Sequence, residues 1–142
     1  MKLVVIDASV ILKWVLPRGS EPYQDQAQAL ATLLKAGSIR VGVPALWYFE
    51  VGNLLARKYP LQADQQLANL RLILEPCEVS DKSGWQKKAL ALVQQHGVTF
   101  YDAVYHALAI IEQGIFLTAD KKYLQMIGKE PHAMHVKDWP LT

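Results

Sequence analysis

The chain has 142 residues, 51% of them hydrophobic and 20% charged, with a formal net charge of +2. That length suits one domain with a real core, and the composition excludes a disordered or fibrous chain. The small net charge excludes nucleic-acid recognition by bulk basicity, so locally concentrated basic groups or a bound metal would have to supply positive charge.

Residues 2–6, KLVVI, form an apolar run closed by Asp7 and predict a buried strand. The run is too short for the core of a secretory signal, and no segment approaches a membrane span. The protein is therefore expected in the cytoplasm. Residues 8–16, ASVILKWVL, have helical spacing and stop before Pro17. Residues 20–37 predict a helix with Ser20 as N-cap, Pro22 in its first turn and Gly37 as its stop.

Residues 39–43, IRVGV, predict a second strand, and Pro44 is well placed to start a helix over 44–58. Another helical pattern covers 61–75, and PCEVS at 76–80 is strand-like. Cys77 is the sole cysteine, which excludes an internal disulfide and a zinc–thiolate cluster. It reads as a buried thiol in a reducing compartment. Helical patterns over 81–97 and 99–114 each end in glycine. A strand at 115–118, a short helix at 119–128 and a weak strand at 133–138 follow. Strands alternating with helices predict an α/β domain over 1–142 with three layers, a parallel sheet between helices. In such sheets, sites form beyond the carboxyl ends of the strands.

Four acids sit in unexpectedly apolar surroundings. Asp7 ends the first strand, and Asp120 follows the strand at 115–118. Glu50 lies in ALWYFEVGNLL and Asp102 in VTFYDAVYHALAII. At helical spacing Glu50 shares a face with Leu46, Asn53 and Leu54. Each acid also has an ordinary explanation. Asp7 and Asp120 suit helix N-caps, Thr99 and Asp102 have capping-box spacing, and Glu50 has Arg57 on its own helix.

A capping acid can also be a ligand. Asp7 and Asp120 follow strands and Asp102 opens a helix, which puts them on one edge of a parallel sheet. Carboxylates converging there raise one another's pKa, and a divalent cation reverses that cost. An all-oxygen donor set selects Mg²⁺ or Mn²⁺ over Zn²⁺. The implied chemistry is metal-assisted hydrolysis of a phosphodiester.

The same pieces carry a family resemblance: VIDASVILKW, FEVGNLL, TFYDAVYHALA and FLTADKKY, in that order along nearly the whole chain. The sequence resembles the PIN-domain family, and within it the VapC-like toxins of toxin–antitoxin pairs. The resemblance implies a five-stranded parallel sheet between helices and an Mg²⁺- or Mn²⁺-dependent endoribonuclease. It implies Asp7, Glu50, Asp102 and Asp120 as metal-binding and catalytic acids, with Ser9 and Thr118 beside the metal and Asn53 behind the ligands. It further implies an RNA substrate, a small antitoxin partner and a homodimer. His106, one turn after Asp102, carries no role from the family.

Lys13, Arg18, Lys121 and Lys122 are candidate RNA contacts, set against ordinary solvated surface. Trp14, Trp47, Tyr48, Phe49 and Tyr101 have the chemistry to stack bases, but helical spacing favours core or interface. His132 and His135 fall on opposite faces of a strand, which argues against a shared metal. His96 and His106 read as surface or packed histidines, and Cys77 has no activating neighbour. The alternatives to a nuclease are a catalytically silent RNA-binding or scaffold module and an Asp-nucleophile phosphatase. The phosphatase pattern wants a second acid at Ser9. A receiver domain wants a late strand-end Lys where Asp120 stands.

Overall fold

The computed structural model describes residues 1–140. The chain runs β1 (Lys2–Ile6), α1 (Ala8–Ile11), a 3₁₀ turn (Leu12–Trp14), α2 (Gln24–Lys35), β2 (Ile39–Gly42) and α3 (Leu46–Lys58). Next come α4 (Ala63–Leu74), a 3₁₀ turn (Glu75–Cys77), α5 (Trp85–His96) and α6 (Phe100–Ile111). The last elements are β3 (Ile115–Thr118), α7 (Lys121–Ile127), β4 (Ala133–His135) and a 3₁₀ turn (Val136–Asp138). Among the described residues no helix is long and apolar enough to cross a membrane.

All strand pairs are parallel, in the order β2-β1-β3-β4. The chain leaves β1 for β2 on one side and returns to β3 on the other. The strand order therefore switches between β1 and β3, where a crevice opens at the carboxyl edge of such sheets. Asp7 follows β1 and Thr118 ends β3, so both stand at that switch point. Along β1 Leu3, Val4, Val5 and Ile6 are all buried. Successive strand residues face opposite sides, so both faces of the sheet are covered. Gly114 lets β3 approach β1, because a Cβ there would lie 2.5 Å from the Leu3 carbonyl oxygen.

Helix α6 is the inner helix, with an unbroken buried run from Ala103 to Ala109. A helix apolar all round belongs inside. Gly97, at φ 72°, closes α5 in the left-handed conformation. Two residues later Thr99 caps α6, its Oγ1 accepting from the Asp102 amide at 3.2 Å.

Some expectations do not hold. The sheet has four strands among the described residues, not five. PCEVS is a 3₁₀ turn followed by one isolated parallel bridge between Val43 and Glu78. Pro76 has no amide hydrogen for a strand ladder, and it sits at the start of that turn. The helix expected over 8–16 is one α-turn that tightens into 3₁₀ geometry. Ser20 does not cap α2, and its hydroxyl donates to the Pro17 carbonyl instead. Pro22 disfavours helical geometry at Glu21, and α2 starts only after Tyr23, which is left-handed at φ 63°. Cys77 is half-buried rather than buried.

Candidate active site

Asp7 is the hub of the sheet edge, and it is buried. Its Oδ1 accepts from the Ser9 hydroxyl at 2.5 Å and the Val10 amide at 3.3 Å. Its Oδ2 accepts from the Thr118 hydroxyl, also at 2.5 Å. Asp7 thus caps α1 and ties β1 to the end of β3. The hydroxyls are themselves fixed. Ser9 Oγ accepts from the Ala119 amide and Thr118 Oγ1 from the Asp120 amide, both at 3.0 Å. Asp120 caps α7 by accepting from the Tyr123 amide at 3.0 Å. Helix starts and strand ends of a parallel sheet share one edge, so local capping chemistry assembles the cluster.

Glu50 reaches the same place from α3. Its Oε1 accepts from the Tyr105 hydroxyl at 2.6 Å, not from Arg57. Tyr105 lies buried on α6, one turn after Asp102. Asp102 is half-buried at the amino end of α6, beside a cleft of about 170 Å³. Asp120, Thr99, Lys122, Tyr123 and Met126 also line that cleft.

The acids lie close enough to feel one another's charge. Asp7 is pushed up to about 6, chiefly by burial; its three hydrogen bonds oppose the shift and the Asp102 charge adds to it. Glu50 is raised, first by burial, against its Tyr105 bond, with the charges of Asp102 and Asp7 adding. Asp102 is raised by burial, and the Asp120 charge adds to that. The Tyr105 hydroxyl is driven far up by burial and then by Glu50, so it stays a donor.

Among the described residues the ion pairs are Lys13–Glu21, Arg18–Asp25 and Arg71–Glu75, with His96 hydrogen-bonded to Glu130, and none includes these acids. Every donor named above to Asp7, Glu50 and Asp120 is a neutral hydroxyl or amide. An oxygen-only carboxylate set without a cationic partner suits a hard divalent ion. Among the described residues no three His, Cys, Asp or Glu side chains close tightly enough to enclose an ion alone. Mg²⁺ typically keeps waters and takes one or two protein carboxylates, so an open arrangement fits it.

The other candidates scatter. Asn53 is exposed one turn beyond Glu50 on α3. Lys13, expected as an RNA contact, is buried and bonded to Glu21 at 3.2 Å, because α2 folds back over the turn that carries it. Arg18 is exposed and pairs with Asp25 at 2.6 Å. Lys121 and Lys122 are exposed at the start of α7. Trp47 is buried and donates to Glu78, whereas Phe49 and Tyr101 are exposed. His106 is a packed histidine, and His132 and His135 hydrogen-bond to the backbone. Burial pushes the Cys77 thiol up, which is wrong for a nucleophile. Tyr105 is the contributor that sequence reasoning missed. It lies in TFYDAVYHALA, but nothing local links it to an acid 55 positions away.

A parallel sheet with acids converging at its switch point suits a nuclease, and comparison agrees. Residues 4–129 match the PIN domain family, and the chain belongs to it. It is 36% identical over 132 residues to Ribonuclease VapC3 of Pyrobaculum aerophilum, covering 86% of this chain and 92% of that protein. In fold it is similar to a chain of the toxin–antitoxin complex from Klebsiella pneumoniae, at TM-score 0.66 and 16% identity, covering 94% of this chain and 97% of that one. It is equally similar to a chain of VapBC-1 from nontypeable Haemophilus influenzae, at TM-score 0.66 and 14% identity, covering 96% and 99%.

Proposed function

We infer that this protein is a PIN-domain endoribonuclease that hydrolyses RNA phosphodiester bonds with a bound Mg²⁺ or Mn²⁺. One observation carries this reading: Asp7, Glu50, Asp102 and Asp120 are gathered at the β1/β3 switch point with no cationic partner among the described residues. Such a cluster is unfavourable until a cation joins it. The kinship with a VapC ribonuclease supports RNA as the substrate.

Asp7 and Asp102 would hold the ion directly, with Asp120 and Glu50 completing the set or orienting the attacking water. When bound, the ion supplies Lewis-acid polarisation of the phosphate and lowers the pKa of a bound water. The chain's own part is to hold the carboxylates. Ser9 and Thr118 fix one Asp7 oxygen each, and Tyr105 fixes one oxygen of Glu50. Lys121 and Lys122 would meet the RNA backbone, and Asn53 would support the site beside Glu50. The phosphatase alternative is disfavoured, because Ser9 offers no second acid.

The toxin–antitoxin membership of the structural neighbours suggests a toxin held by a small antitoxin that covers the acidic edge. A homodimer, a single three-layer domain over 1–142 and a cytoplasmic site of action belong to the same reading. The test is purified protein with total cellular RNA, in Mn²⁺ and in chelator. Cutting only with the metal, leaving 5′-phosphate and 3′-hydroxyl ends, supports the nuclease. RNA binding without cutting under either condition overturns it in favour of a silent module.

A further inference from the structure

The four acids repel one another, yet Glu50, Asp102 and Asp120 stand on or cap three separate helices, α3, α6 and α7. Helix α7, which presents Asp120, has only seven residues. Something must resist the splaying without neutralising the charge that a metal needs. Helix α6 supplies two contacts of that kind.

The first is Tyr105, whose hydroxyl donates to Glu50 Oε1 at 2.6 Å across to α3. The second runs through His106, which is wholly buried. His106 Nε2 lies 2.7 Å from the Pro131 carbonyl oxygen, which can only accept, so Nε2 carries the proton. Nδ1 of the neutral ring is then an acceptor, and the Tyr123 hydroxyl donates to it at 2.8 Å. Burial lowers the His106 pKa and keeps the ring neutral. Tyr123 is buried, and its own amide donates to Asp120 Oδ1. His106 on α6 therefore anchors the Tyr123 ring, and the Tyr123 backbone amide holds Asp120 at the start of α7. Phe116 of β3 packs under the ring groups, 6.2 Å from Tyr105 and 5.8 Å from His106 and Tyr123, centroid to centroid.

Asp102, Tyr105 and His106 sit at i, i+3 and i+4, on one face of α6. We propose that α6 is the template of the metal site, carrying Asp102 itself while Tyr105 and the His106–Tyr123 pair act as positioning residues for Glu50 and Asp120. Both struts are neutral. A Lys or Arg in either place would pair with its carboxylate and compete with the incoming ion.

The inference rests on the metal reading, and the test separates the two. Mn²⁺ binding is followed by the loss of its free aqueous paramagnetic resonance signal, with no RNA present. Wild type is compared with Tyr105→Phe and Tyr123→Phe, which keep the rings and remove one hydroxyl each, and with Val41→Ala, a buried β2 position outside the site. Outer partners of metal ligands set affinity by about 10–100-fold. Both hydroxyl variants are expected to bind Mn²⁺ at least about tenfold more weakly, while Val41→Ala loses stability and keeps its affinity. Affinity within twofold of wild type in either hydroxyl variant overturns that residue's role. An equal loss in Val41→Ala also overturns the proposal, by making the effect general loosening. Wild type that binds no Mn²⁺ overturns the metal reading itself.

Discussion

Away from the carboxyl edge of the sheet, three acids sit with cations, Glu21 with Lys13, Asp25 with Arg18 and Glu75 with Arg71, and Glu130 sits with the His96 ring, at 2.6–3.2 Å. At that edge Asp7, Glu50, Asp102 and Asp120 gather with neutral donors only among the described residues. The two regions share residue chemistry and differ in compensation. A paired acid has its charge answered inside the fold and offers little to an outside ion. An acid fixed by hydroxyls and amides keeps its charge and its geometry. Neutral donors also hold Glu78, Asp81 and Glu112 elsewhere, so what marks the edge is that neutrally held acids converge there and raise one another's pKa.

The largest effect should come from removing the hub. Asp7→Asn is expected to bring metal-dependent RNA cleavage below detection, in a gel assay at saturating Mn²⁺. It should also make the metal-free protein more stable. The folded-state pKa of Asp7 is about 6 against an ordinary 3.8, so the folded state binds its proton more tightly. That linkage supports folding fully below pH 3.8 and is lost as pH rises through about 6. At pH 8 the variant should gain up to about 3 kcal/mol over metal-free wild type, from 1.36 kcal/mol per pKa unit. The gap should close as pH falls toward 3.8, and added Mn²⁺ should raise the melting temperature of wild type alone. Thermal melts in chelator and in Mn²⁺ across pH 3.5–8 measure all of this. A variant less stable than wild type at pH 8 would contradict the charge-strain account.

The acids were legible in the sequence because local chemistry places them. Asp7 and Asp120 close apolar runs and cap the next helix, and Asp102 sits three residues after the Thr99 cap. These three capping contacts involve residues within one turn, so tertiary packing leaves them in place. Glu50 was legible as an acid in an apolar helix, but its partner was not. Tyr105 meets it only because α6 is the inner helix of the fold. The same limit hid the His106 network, whose partners lie 17 and 25 positions away. Lys13 was misplaced for a related reason: a lysine after an apolar run looks solvated until α2 folds back over it. The fifth strand failed at Glu75–Cys77, where the chain turns in 3₁₀ geometry and leaves only the Val43–Glu78 bridge.

The second effect tests the compensated region where compensation matters most. The Lys13 side chain is 3% exposed and its partner Glu21 is 31% exposed. Glu21→Gln leaves a buried ammonium without its counter-charge, which should cost on the order of 2–3 kcal/mol. Mn²⁺ affinity should be unchanged, since the pair belongs to the stability of the α1–α2 turn and not to the edge. Denaturant melts together with Mn²⁺ titration check both halves. A variant that keeps its stability but loses metal would erase the distinction between the regions.

The smallest effect is expected at Asp25→Asn. Its pair with Arg18 is short, 2.6 Å, yet both side chains are 70% exposed. Water and salt screen such pairs, and ordering two flexible side chains offsets the attraction, so the loss should stay below about 1 kcal/mol. The substitution frees Arg18 without touching the acids, which makes it a probe of that arginine. If Arg18 reaches the RNA backbone, the freed guanidinium should tighten RNA binding in a salt-dependent way while Mn²⁺ affinity stays fixed. If it is ordinary surface, RNA affinity should not move between low and high salt relative to wild type. Filter binding at two salt concentrations in chelator, where no cleavage occurs, separates these outcomes. A drop in RNA affinity is the one result neither role allows, because removing an acid can only lower the local repulsion of phosphate.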